Sequence, residues 1–204
     1  MEYKMIQDYR HDDIYRKSFN ALARKTFGID FEKWYETGFW NDRYVCYSFS
    51  DDDKVVANVS ANLLNWVVKG KSLNVIQIGT VMTHPDYRKK GLASQLMHHV
   101  LNTYEKQCDL FYLFGEPSVH EFYENFGFTP IQETRFHINL TASGNKGKCL
   151  RKLDLSDTAD LNIIRRLTAE RVPLSEQFWV DHAQSILAWH LLNVYPDQLY
   201  CIEQ

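Results

Sequence analysis

The sequence predicts an α/β fold in which a mixed, strongly twisted sheet is flanked by helices, and three observations carry that expectation. Apolar residues recur with a period of two across 44–83, the spacing of strands buried on one face. From Gly91 the period changes to 3.6, and a short apolar run at 110–114 follows. That order of strand, loop, helix and strand is a crossover, which requires the strands at 73–83 and 110–114 to pair in parallel. With 204 residues, 45% of them hydrophobic, the chain can also bury a full core.

Taken in order, Asp12 and Asp13 precede Ile14, Phe19, Leu22, Ala23 and Phe27 at helical spacing, and Gly28 can stop that helix. A second short helix holds Phe31, Trp34 and Tyr35. Runs at 44–49 and 55–63 read as a hairpin turned by Asp51, Asp52 and Asp53. In the second run Val55, Ala57, Val59, Ala61 and Leu63 point to a buried face, while Asn58, Ser60 and Asn62 make a polar one. Gly70 marks a turn before the strand at 73–83, which ends at His84-Pro85.

Ala93, Leu96, Met97, Val100, Leu101 and Tyr104 form the stripe of the next helix. A further helix carries Val119, Phe122, Tyr123 and Phe126, stops at Gly127, and leads into strands at 128–131 and 133–140. The polar stretch 143–148 is the best linker, so the expected division is a domain over 1–142 and a unit over 149–204. In the tail, 149–155 reads as a strand, 157–171 and 175–193 as helices, and 199–202 as a strand. This order weakly repeats the first fifty residues and suggests a partial, non-catalytic copy that packs on the first domain or on a second subunit of a homodimer.

A net charge of −3 argues against a nucleic-acid footprint, and no apolar run reaches membrane-spanning length. Without a signal-peptide layout at Met1 to Lys4, the expected compartment is the cytoplasm. Cys46, Cys108, Cys149 and Cys201 are too scattered for a zinc ribbon and read as reduced thiols. Adjacent His98 and His99 diverge on a helix, and the Asp51 to Asp53 turn lacks alternating oxygen ligands, so no metal is expected. Gly70-Lys71-Ser72 imitates a Walker A ending but lacks the earlier glycine.

The chemistry is concentrated at Arg88-Lys89-Lys90-Gly91-Leu92-Ala93, between a strand and a helix, where backbone N–H groups and the helix terminus converge on an anion. Gly91 allows close approach, Ala93 keeps the first turn slim, and Ser94 adds a hydroxyl. Here the sequence resembles the GNAT superfamily, whose pyrophosphate loop follows R/Q-x-x-G-x-G/A after a strand that ends before a proline. The segment Glu116-Pro117-Ser118-Val119-His120-Glu121-Phe122-Tyr123 resembles the family's tyrosine-bearing helix, with Glu116 and Val119 where the family often shows Asn and Ala. The resemblance covers about residues 1–140.

The resemblance implies a GNAT-type fold and an N-acetyltransferase that binds acetyl-CoA along Val81, Met82 and Thr83, with pantetheine pairing as an added strand. Val81 and Met82 then supply N–H groups to the acyl oxygen, and Tyr123 occupies the position of the general acid. For the base, Glu116 stands first, with His84 and His120 as alternatives. Attack is direct, in a ternary complex, and the acceptor is a primary amine on a small molecule or peptide; the alternative is a non-catalytic module that binds acyl-CoA for regulation. Trp34, Tyr35, Phe39 and Trp40 lie in the early segment that borders the acceptor in this family.

Overall fold

The computed structural model describes residues 3–134, 137–139, 150–173 and 175–202. One sheet runs β1 (Lys4–Gln7), β2 (Tyr44–Asp51), β3 (Lys54–Val68), β4 (Lys71–Thr83) and β5 (Leu110–Leu113), with each strand antiparallel to its neighbour except the parallel pair β4 and β5. The expected α/β architecture and the parallel crossover are therefore present.

Helices α1 (Asp13–Phe27) and α2 (Glu32–Glu36) cover one face. Asp12 caps α1 by accepting from the Ile14 and Tyr15 amides, and Gly28 ends it at φ 71°. Phe19, Phe31, Trp34, Trp40 and Tyr44 interlock beneath these helices, with Trp34 and Trp40 stacked at 5.7 Å. The opposite face is filled by Leu92, Leu96, Met97 and Val100 of α3 (Leu92–Tyr104), with Phe122 and Tyr123 of α4 (His120–Glu124) against its edge.

Two departures concern β3. Its polar face is not solvated: Asn58 and Ser60 are fully buried, and Asn62 is 6% exposed. A bulge at Val56 of β3, opposite the Phe49–Ser50 step of β2, also shifts the alternation, so Val55 joins the α1 side and Val56 takes the α3 side. The described parts of 128–131 and 133–140 carry no strand. Pro130 removes one ladder donor there, and residues 135, 136 and 140 lie outside the described residues. The linker at 143–148 and Cys149 also lie outside them.

In the tail, β6 (Leu150–Lys152) pairs with β8 (Tyr200–Ile202), and α5 (Thr158–Ala169) falls within the expected helix. The helix expected over 175–193 is corrected: β7 (Phe178–Asp181) occupies its first part and α6 (Gln184–Asn193) its second. Four residues of β7 pair antiparallel with Asn65 to Val68 of β3, beyond the end of β2, and satisfy an edge that helical residues would leave open. Trp34 Nε1 donates to the Ser185 carbonyl at 2.9 Å, and Ser185 Oγ donates to the Phe39 carbonyl at 2.8 Å. The tail thus shares both the sheet and the α2-side core. Among the described residues no helix is long and apolar enough to cross a membrane.

Candidate active site

Strands β4 and β5 pair only from Val75 with Leu110 to Ile78 with Leu113. Beyond Ile78 the β5-facing edge of β4 has no strand partner among the described residues, so Gly79 to Thr83 present an unpaired edge. Opposite Val59 of β3, β4 carries two residues, Thr80 and Val81, which is a β-bulge, and Thr80 sits at φ 42°. Val81, Met82 and Thr83 therefore lie at and after a kink in this unpaired edge.

Past Thr83, a single turn at Pro85–Tyr87 leads into the loop, where Lys89 (φ 61°) and Gly91 (φ 73°) both take left-handed backbone conformations. Two such residues bend the chain sharply into α3. Gly91 is the N-cap of α3 and lends it no side-chain bond, whereas α1 is capped by Asp12 and α5 by Asp157. The free amides of the first turn of α3, at Leu92, Ala93 and Ser94, are the donors that an anion would satisfy.

The three basic side chains differ in what they do. Arg88 Nε donates to the Thr83 carbonyl at 3.4 Å, tying the loop to the end of β4. Lys90 Nζ donates to Tyr3 Oη at 2.9 Å and lies 4.8 Å from the Tyr87 ring centre. Tyr87 Oη donates to Asp51 at 2.6 Å, an interaction that pushes the phenol up to about 12 and anchors the loop to the β2–β3 turn. Lys89 is exposed. Leu92 is buried in the α3-side core and fixes the helix from beneath.

At the end of β5, Tyr123 packs over Gly115. A Cβ at Gly115 would stand 3.0 Å from the Tyr123 ring, so a side chain there would push the ring aside by a few tenths of an ångström. Tyr123 Oη has no hydrogen-bond partner among the described residues, and burial raises its pKa above the usual phenol value. Glu116 follows Gly115, is exposed, and makes no side-chain cap to the turn at Pro117–Val119. His120 Nε2 lies 3.3 Å from the Gly115 carbonyl, fixing α4 to the same loop.

His84 is buried on the α1 side, with Nε2 3.0 Å from Lys25 Nζ, and burial lowers its pKa. The structure thus gathers Tyr123, Glu116 and His120 at the end of β5, while His84 packs elsewhere. Trp34, Phe39 and Trp40 are core residues. Two features were not singled out from sequence: Gly115, and the buried polar residues behind Thr80, for which the alternation of Asn58, Ser60 and Asn62 was the available signal.

This geometry can be set beside known proteins. Residues 3–131 match the model of the acetyltransferase (GNAT) domain family. An acetyltransferase from Trypanosoma brucei superposes with a TM-score of 0.53 at 19% identity, over 68% of this chain and 100% of that one. Glucosamine-6-phosphate N-acetyltransferase from Arabidopsis thaliana gives 0.52 at 18%, over 67% and 99%. A predicted acetyltransferase from Clostridium acetobutylicum, solved with acetyl-CoA, gives 0.52 at 16%, over 69% and 96%. No curated protein matches the sequence. The family match spans well over half of the chain and coincides with the sheet, the β4–α3 loop and the tyrosine helix, and the chain belongs to the GNAT acetyltransferases, a family of acyltransferases.

Proposed function

We propose that the protein transfers an acetyl group from acetyl-CoA to a primary amine by direct attack in a ternary complex. The observation that supports it most is the unpaired edge of β4 beyond β5, directly before an α3 terminus whose amides lack a side-chain cap. Val81, Met82 and Thr83 offer backbone to pantetheine, and Arg88, Lys89, Lys90, Gly91, Leu92, Ala93 and Ser94 form the pyrophosphate cradle. In this reading Lys90 acts mainly by holding the loop, because Tyr3 and Tyr87 already engage it.

The acceptor amine, with a pKa of about 10.4, is free in only about one molecule in a thousand at neutral pH, so a base must take its proton. Glu116 serves as that base, from the loop between β5 and Tyr123's helix α4, with His120 at the start of α4 as the alternative. After attack on the thioester carbonyl, the negative oxygen is stabilised by the amides of Val81 and Met82. As the C–S bond breaks, Tyr123 gives its proton to the departing thiolate. Burial suits Tyr123 to that step, because it keeps the phenol protonated.

Residues 1–142 form the catalytic domain in this reading, and 149–204 a non-catalytic unit docked on it. The Asp157 side chain already occupies the first amides of α5, so that helix offers no second cradle. The test is turnover of acetyl-CoA by the full chain against a panel of sugar, aryl and peptide amines, read as free thiol. Amine-dependent thiol release supports the reading. Tight CoA binding with no thiol release for any amine would contradict it.

A further inference from the structure

On the buried polar face of β3, Asn58 and Ser60 belong to one connected network that ends at the β4 bulge. Tyr9 Oη and Ser48 Oγ share a hydrogen bond of 2.6 Å, and both lie within reach of Asn58 Oδ1, at 3.4 and 2.8 Å. Asn58 Nδ2 in turn donates to Ser60 Oγ at 2.9 Å, to the Thr80 carbonyl at 2.9 Å and to Thr80 Oγ1 at 3.0 Å. Ser60 Oγ and Tyr44 Oη close on Thr80 Oγ1 at 2.6 and 2.9 Å. Because a backbone carbonyl can only accept, the amide orientation of Asn58 is fixed by Thr80.

Such a chain could move a proton or hold a shape, and its chemistry decides between them. The Asn58 amide interrupts the hydroxyls: its oxygen only accepts and its nitrogen only donates, so no proton can hop through it. Burial also holds the Tyr9 and Tyr44 phenols above their usual value and pushes the Cys46 thiol up to about 12, which leaves no member able to take a proton near neutrality. Shape is what remains. Thr80 is a β-branched residue at φ 42°, a conformation its own backbone disfavours, and every polar atom of it that points into the sheet is held by the network.

We propose that Asn58 is a positioning residue for acyl transfer: it locks the bulge at Thr80 so that the amides of Val81 and Met82 meet the carbonyl of a bound thioester. The inference rests on the cradle reading above, and it adds a preference. The protein binds acetyl-CoA more tightly than CoA, since only acetyl-CoA offers that carbonyl, and the preference depends on a side chain that touches neither ligand.

Calorimetry of acetyl-CoA and of CoA on the full chain tests it without knowledge of the acceptor. Asn58→Ala should shrink the ratio of the two dissociation constants by roughly 5- to 10-fold, the scale of one hydrogen bond, while CoA affinity stays within about 2-fold. Tyr44→Phe, which deletes one hydroxyl and keeps the packed ring, should shrink the ratio by roughly 2- to 5-fold and decides the matter if Asn58→Ala does not fold. An unchanged ratio in a folded variant overturns the proposal. So does a wild-type protein that binds the two ligands equally, which would leave the cradle reading standing. A wild-type protein that binds neither overturns both.

Discussion

At the scale of single residues, the same side-chain type does different work according to what surrounds it. Tyr87, Tyr44 and Tyr9 all have hydrogen-bond partners and serve as struts, whereas Tyr123 lies over Gly115 with its hydroxyl unengaged among the described residues. Tyr123→Phe should therefore lower kcat by roughly 10²- to 10⁴-fold, the range of general-acid catalysis, and leave CoA affinity nearly unchanged. Steady-state kinetics with calorimetry checks this, and equal turnover would return Tyr123 to a packing role. Tyr123 and the Arg88 to Ala93 loop were legible in the sequence because their spacing is local. Asn58 was legible only as polar. That its face is buried depends on Tyr9, β2 and the bulge of β4, which are brought together from up to 49 positions away.

At the scale of elements, periodicity located β2 to β5, α1 and α3, because each has a long apolar face and a stop signal such as Gly28. It failed over 175–193, where α6 is apolar on nearly every side and merged in the reading with the four residues of β7. Only the unpaired edge of β3 beyond β2 distinguishes the two, and that edge is a tertiary fact. Because β7 pairs with β3 and α6 packs in the core beneath α1 and α2, the tail should unfold with the rest of the sheet. Trp34→Phe keeps an aromatic ring but leaves the Ser185 carbonyl without its donor, at a cost of about 1–3 kcal/mol. Thermal melting and limited proteolysis of the tail should show one cooperative transition that moves down together. A tail cleaved long before the rest melts would make it a separate unit.

At the scale of the whole molecule, charge as well as packing holds the elements of the tail to one another. Arg151 donates to both carboxylate oxygens of Asp160 at 2.8 and 2.7 Å, and with the Asp154 amide it holds that carboxyl down to about 2. In the unfolded chain the carboxyl titrates near 4, so its stabilisation is complete above about pH 4 and is lost as pH falls through about 2. Asp160→Asn should flatten the acid limb of a stability–pH curve between about 4 and 2, and an unchanged limb would show that the pair contributes nothing. The central claim, though, is that the β4–α3 loop cradles CoA. An added Cβ at Gly91 meets nothing closer than the Gln95 amide at 3.8 Å, so the obstacle to a side chain there is the backbone at φ 73°, which a β-branched residue resists. Titration of CoA into the wild-type protein and into Gly91→Val tests the claim directly: the account predicts binding to the first and a severe loss of affinity in the second, with the fold retained by circular dichroism, and equal affinity in the two folded proteins would contradict it.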